Sequence, residues 1–180
     1  MDRTARKCYD VCKQSVNLED ISMKWARIIL TIPVLLLTAV FGYLYWGAQA
    51  EIAVNVQTAP AQDHIATYDS VVAAVQTGAA EAVYSTEAFT GAQDYTLVST
   101  QVTMKNPGAL PMEWVTCKLQ PDAGDVALYE IEGLPADIGS QQEITFFVRT
   151  IRKNGTNMDH PTLTITYHVA GQQLERHIGG

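Results

Sequence analysis

From Ile28 to Trp46 the chain carries 19 consecutive residues without a charge. No polar stripe recurs within them every three or four positions, as it would on a soluble amphipathic helix. At about 1.5 Å per helical residue the segment reaches roughly 28 Å, near the hydrocarbon thickness of a bilayer. Trp25 stands before it and Tyr43, Tyr45 and Trp46 close it, and amphipathic rings at both ends suit the two headgroup zones. Pro33 removes a hydrogen bond near the first turns, which membrane helices tolerate. The pattern predicts a transmembrane signal anchor over 28–46.

Beyond the anchor the period becomes two. Glu51–Gln57 alternates apolar and polar positions, which predicts a first strand. The stretch that follows is rich in Ala, Thr and Gln, and Val71, Val72 and Val75 have helical spacing, so a short helix is expected around Tyr68–Gln76. Residues 47–93 therefore read as an Ala/Thr-rich linker with one strand and a short helix. From residue 94 to 180 the alternation sharpens into strands over Tyr95–Lys105, Met112–Gln120, Asp125–Glu132, Gln142–Ile151 and Thr162–Val169. Ala170-Gly171 then turns the chain into a last strand through Leu174 and Ile178. Pro/Gly loops at Asn106–Pro111, Pro121–Gly124 and Gly133–Gly139 separate the strands. The expected fold class is all-β, an Ig-like two-sheet sandwich outside the membrane preceded by one transmembrane helix.

This strand spacing, with the strand-to-turn phrase Val102-Thr103-Met104-Lys105-Asn106-Pro107-Gly108, resembles the membrane-anchored, Ig-like sandwich modules of bacterial cell surfaces over roughly residues 94–178. The Cys…Trp…Cys arrangement of antibody domains is absent, with Trp114 expected on the face opposite Cys117. The resemblance implies a non-catalytic interaction or assembly module.

Charge gives the orientation. The first 27 residues hold six basic and four acidic groups, and the remainder holds six basic and 15 acidic groups. Basic residues before an apolar span stay inside, so residues 1–27 read as a cytoplasmic tail and the carboxy-terminal domain as external. A net charge of −7 argues against nucleic acid as a partner. Ala48-Gln49-Ala50 has the small-x-small form of a signal-peptidase site, which would release the chain from Glu51 onward. The long apolar run favours retention. A start at Met23 would shorten the tail to an ordinary secretory n-region. Cys8 and Cys12 read as two reduced thiols of the tail.

Chemistry is sparse in the pattern. No phosphate-cradling Gly-x-x-x-x-Gly-Lys, no Gly-x-Ser-x-Gly and no His-Glu-x-x-His is present. Neither a cofactor nor a metal site is expected, nor catalytic residues. His168 and His177 could face one another across the Ala170-Gly171 turn, yet a third ligand is missing. Asp122, Asp125, Glu130, Glu132 and Asp137 read as a solvated acidic rim. Asn154-Gly155-Thr156 is a glycosylation sequon that reads better as an Asn-Gly turn. Met112 and Trp114 are expected together on the outward face of their strand, an apolar patch suited to a protein partner at the cell surface. Two functions follow. One is a single-pass membrane protein, in contact with the lipid bilayer, whose sandwich is an interaction module. The other is an exported ligand- or envelope-binding sandwich released after Ala50.

Overall fold

The computed structural model describes Trp25 and residues 27–43, 49–155 and 162–179. The chain divides after Gly47 into two units. In the first, residues 27–43 form one helix, α1. Its apolar side chains are exposed along its whole length, Ile29, Leu30, Leu35 and Phe41 among them. The Thr31 hydroxyl donates to the Arg27 carbonyl and Thr38 to the Val34 carbonyl, which satisfies both hydroxyls within the helix. Leu44, Tyr45 and Trp46 of the expected 28–46 segment lie outside the described residues, as do Cys8, Cys12 and Met23 of the tail. Among the described residues no helix is long and apolar enough to cross a membrane.

The second unit is mostly β. Its elements are β1 (Glu51–Pro60), α2 (Ile65–Thr77), β2 (Ala82–Val83), β3 (Tyr95–Lys105), β4 (Met112–Gln120), β5 (Asp125–Glu132), β6 (Ala136–Ile138), β7 (Glu143–Lys153), β8 (Thr162–Val169) and β9 (Gln172–Ile178). They make two antiparallel sheets, one in the order β1-β3-β7-β5-β2 and the other β6-β4-β8-β9. One apolar core joins them. Val102 and Met104 of β3 and Phe146 and Val148 of β7 share it with Val115 and Leu119 of β4 and Leu163, Ile165 and Tyr167 of β8. These residues alternate along each strand, as a sheet with one buried face requires.

The 47–93 stretch is built into this fold. β1 pairs with β3 over ten positions without a shift. Pro60 leads into a 3-10 turn and α2, whose Tyr68 and Val71 bury a second cluster with Tyr95, Leu97, Ala127 and Ile151 on the far face of the first sheet. Both faces of β3 are therefore covered: Tyr95 and Leu97 belong to this second cluster, while Val102 and Met104 belong to the core between the sheets. The helix is longer than its valine spacing indicated, and it ends where Gly78 takes a left-handed backbone with φ 72°.

Two loops close one end of the sandwich around Asn106. The residue is fully buried. Its Nδ2 donates to the carbonyls of Leu110 at 2.8 Å, Gly139 at 3.1 Å and Ile138 at 3.3 Å, and its Oδ1 accepts from the Gly108 N–H at 2.9 Å. A side-chain amide is needed there because carbonyls of both loops converge on it.

The carboxylates expected as a solvated rim are largely paired. Asp125 is buried against the Arg152 guanidinium at 3.0 Å, and Asp122 reaches the same arginine at 2.9 Å. Glu130 and Glu132 both grip Arg149, the second at 2.7 Å. The pairing register explains this, since β5 sets Asp125 opposite Arg152 and Glu130 opposite Arg149 on β7. The register also separates the two histidines: His177 lies opposite Thr164, and His168 opposite Gln173.

Candidate functional site

The feature that departs most from a relaxed sheet is in β4. Three steps along β4, from Met112 to Val115, match two along β6, and three steps from Glu113 to Thr116 match two along β8. One residue is therefore extra, a β-bulge. Trp114 carries the strain with φ 54°, a left-handed conformation that is unfavourable for a bulky L-residue. Its N–H donates to the Asp137 carboxylate at 2.8 Å, a bond to β6 that fixes the bulge.

The bulge reverses the face of the residues before it. Met112, expected beside Trp114 on the outside, is fully buried against the core. Strict alternation would place Met112 and Val115 on opposite faces; the extra residue puts both inward. Trp114 alone projects, 68% exposed. It borders a shallow groove of about 260 Å³ lined by Pro135, Ala136 and Asp137. Leu110, at the closed end of the sandwich, is also exposed.

Two larger hollows flank α2. One of about 620 Å³ lies between the helix and residues 83–90, with Tyr68, Val72, Val75, Val83 and Phe89 on its walls and Asp69 and Glu87 at its rim. Tyr68 and Phe89 pack with Tyr95 in edge-on and tilted arrangements at centroid distances of 5.3 to 6.1 Å. The Tyr68 hydroxyl donates to the Thr90 carbonyl at 2.5 Å, and burial followed by the nearby Tyr95 pushes its pKa up. It therefore stays protonated and structural. Glu87 is engaged by Lys153 at 2.8 Å. The second hollow, of about 480 Å³, runs between α2 and Tyr129 and Glu130 of β5.

The remaining candidate groups do not converge. The His168 Nδ1 is buried without a hydrogen-bond partner among the described residues. The His177 Nδ1 lies 3.1 Å from the Thr164 hydroxyl. Cys117 is buried among apolar residues, and burial pushes its thiol up to about 12, so it remains a neutral thiol. Asn154 sits in a turn with Gly155 at φ 84°, its amide donating to the Gln93 carbonyl and accepting from Thr96, each at 2.7 Å. Ala50 is buried, its N–H donating to the Tyr167 hydroxyl at 3.2 Å, and Gln49 accepts from Arg176 at 2.6 Å; Ala48, the other residue of the expected cleavage motif, lies outside the described residues. Among the described residues no group of three or more histidine, cysteine or acidic side chains could hold a metal ion.

Sequence reasoning singled out Trp114 by residue type and missed the bulge that presents it. The signal was available in the chain, where apolar positions change parity between Met112 and Val115. No protein-family model matches the chain, and no curated protein is significantly similar to it.

Proposed function

We propose that this is a single-pass membrane protein whose Ig-like sandwich, held outside the cell, is a non-catalytic module that engages a protein partner through Trp114. The observation that carries the reading is Trp114 itself. A large aromatic side chain is held outward on a strained backbone next to a groove of Pro135 and Ala136. The bulge serves the fold by turning Met112 inward, but an exposed tryptophan is not needed for that, and an aromatic kept outward at a strained position points to a use at the surface. The anchor reading rests on the uncharged run from Ile28 to Trp46 and on the apolar side chains that α1 leaves exposed, a surface that suits contact with lipid. The six basic residues before that run favour an internal amino terminus.

Retention of the anchor is favoured over release after Ala50 by one observation. Gln49 and Ala50 are bonded into the sandwich through Arg176 and Tyr167, so a chain beginning at Glu51 would lack part of its own core edge. The test is the intact mass of the protein from native membranes. A mass near 19.7 kDa is expected; a mass corresponding to a chain that begins at Glu51 would overturn the anchor and leave the exported reading.

A further inference from the structure

We infer that β1 is a pairing edge for a second copy of this chain, joining two five-stranded sheets through antiparallel β1–β1 contact. This inference does not rest on the membrane reading. Among the described residues the outermost strands are four, β1 and β2 in one sheet and β6 and β9 in the other. Natural sheets guard such edges with very short strands, charges or bulges. Three of the four are guarded. β2 has two residues and β6 has three. β9 carries Glu175, Arg176 and His177, and Arg176 stands opposite the buried Ile165, an inward register position where a charge opposes further pairing.

Over residues 52–59 β1 has none of these devices. It is ten residues long and pairs with β3 without a bulge. Its one charge is Glu51, its one proline is Pro60 at the far end, and most of its residues are exposed. Among the described residues no strand pairs with its outer edge. Between Glu51 and Pro60 the strand presents unpaired backbone groups together with the β-branched Ile52, Val54, Val56 and Thr58, which favour strand pairing.

The sequence of β1 also suits itself. A two-fold axis through Asn55 sets Val54 opposite Val56, Ala53 opposite Gln57 and Ile52 opposite Thr58 of the second copy. Ile52, Val54 and Val56 lie opposite Met104, Val102 and Thr100 of β3, so the paired valines extend the inner face of the sheet as β-branched neighbours. The two Glu51 residues then sit eight positions apart, about 27 Å at the rise of an antiparallel strand. Asn55 meets its own copy, where one amide can donate and the other accept.

The test uses the full chain in nonionic detergent with Cys8→Ser, Cys12→Ser and Cys117→Ala, a single new cysteine on β1, and a short bismaleimide. Asn55→Cys should give a crosslinked dimer and Ala59→Cys at least tenfold less, because the two copies of position 59 are eight residues out of register. Adding Ala53→Lys with Gln57→Lys, two exposed positions that face each other across the axis, should remove the Asn55→Cys crosslink. Ala53→Lys with Gln57→Glu should restore it. A thermal midpoint close to that of the parent for each variant assigns these changes to pairing. Equal crosslinking at positions 55 and 59, or a crosslink indifferent to the charge pair, would overturn the inference.

Discussion

Asn106 and Trp114 show how single residues set the character of this domain in opposite ways. Asn106 uses both ends of its amide on backbone groups that would otherwise be buried without partners. Asn106→Ala should cost about 3 kcal/mol, the penalty for stranding buried carbonyls. Asn106→Asp should be worse at neutral pH than at pH 4, since an aspartate facing those carbonyls has its folded-state pKa raised, and the mismatch with the unfolded chain grows as pH rises above the ordinary carboxylate range. Chemical denaturation at the two pH values checks both variants. Trp114 contributes strain instead of cohesion. Trp114→Ala should shift the thermal midpoint little, and Trp114→Gly should hold or raise it, because glycine accepts φ 54° without the steric penalty. On the proposed function, both should also abolish a photo-crosslink from this surface to a protein partner in native membranes. A large loss of stability in either would assign Trp114 to packing.

At the scale of elements, the register carries most of the information. The β5–β7 pairing gathers four of the five carboxylates into two arginine clamps, and the Asp125–Arg152 contact is buried. Asp125→Ala removes the buried partner of Arg152 and leaves the guanidinium only the more exposed Asp122, so it should cost about 3 kcal/mol in equilibrium unfolding. The exposed Arg149 clamp should matter far less. The β8–β9 hairpin turns on Ala170 and Gly171, both at positive φ, of 51° and 77°. That is the two-residue turn that favours Asn-Gly, and alanine is a poor occupant of its first position. Ala170→Asn should therefore stabilise the domain by about 1 kcal/mol, read as a midpoint a few degrees higher. The spacing of turns and alternating residues made most of these strands readable in advance. β2 and β6 were not, since strands of two and three residues have too few positions to show a period.

Across the whole molecule, acid should be the weaker limb. The Ala123 N–H and then the Arg152 guanidinium hold the Asp122 carboxyl below its ordinary value of 3.8, and the hydrogen bond from Lys153 holds Glu87 below 4.5. Groups depressed in the folded state stabilise it above their unfolded values and lose that contribution as pH falls through the folded ones. Lys153 is raised above 10.5 by Glu87, so its contribution is complete below that value and disappears only as pH rises through the folded one. The midpoint should stay level from about pH 6 to 9 and decline below about pH 4. Glu87→Gln should make that decline shallower; an unchanged acid limb would remove Glu87 from the account.

Hydrophobic periodicity alone was enough for the uncharged segment from Ile28, the all-β class, most strand positions and the inward sets of β7 and β8, because each of these depends on neighbours within a few residues along the chain. Position in space depended on tertiary structure. Met112 lies in the core because an extra residue in β4 must be absorbed between two neighbouring strands. Asp125 meets Arg152 because β5 and β7 lie side by side at one register. Leu97 is buried because α2, some 20 residues earlier in the chain, packs over the outer face of β3. β1 is an edge because no later strand of the described residues returns beside it. Alternation determines which residues share a face, but the face that meets a core, and the side chains brought opposite one another, are set by contacts between residues far apart in sequence.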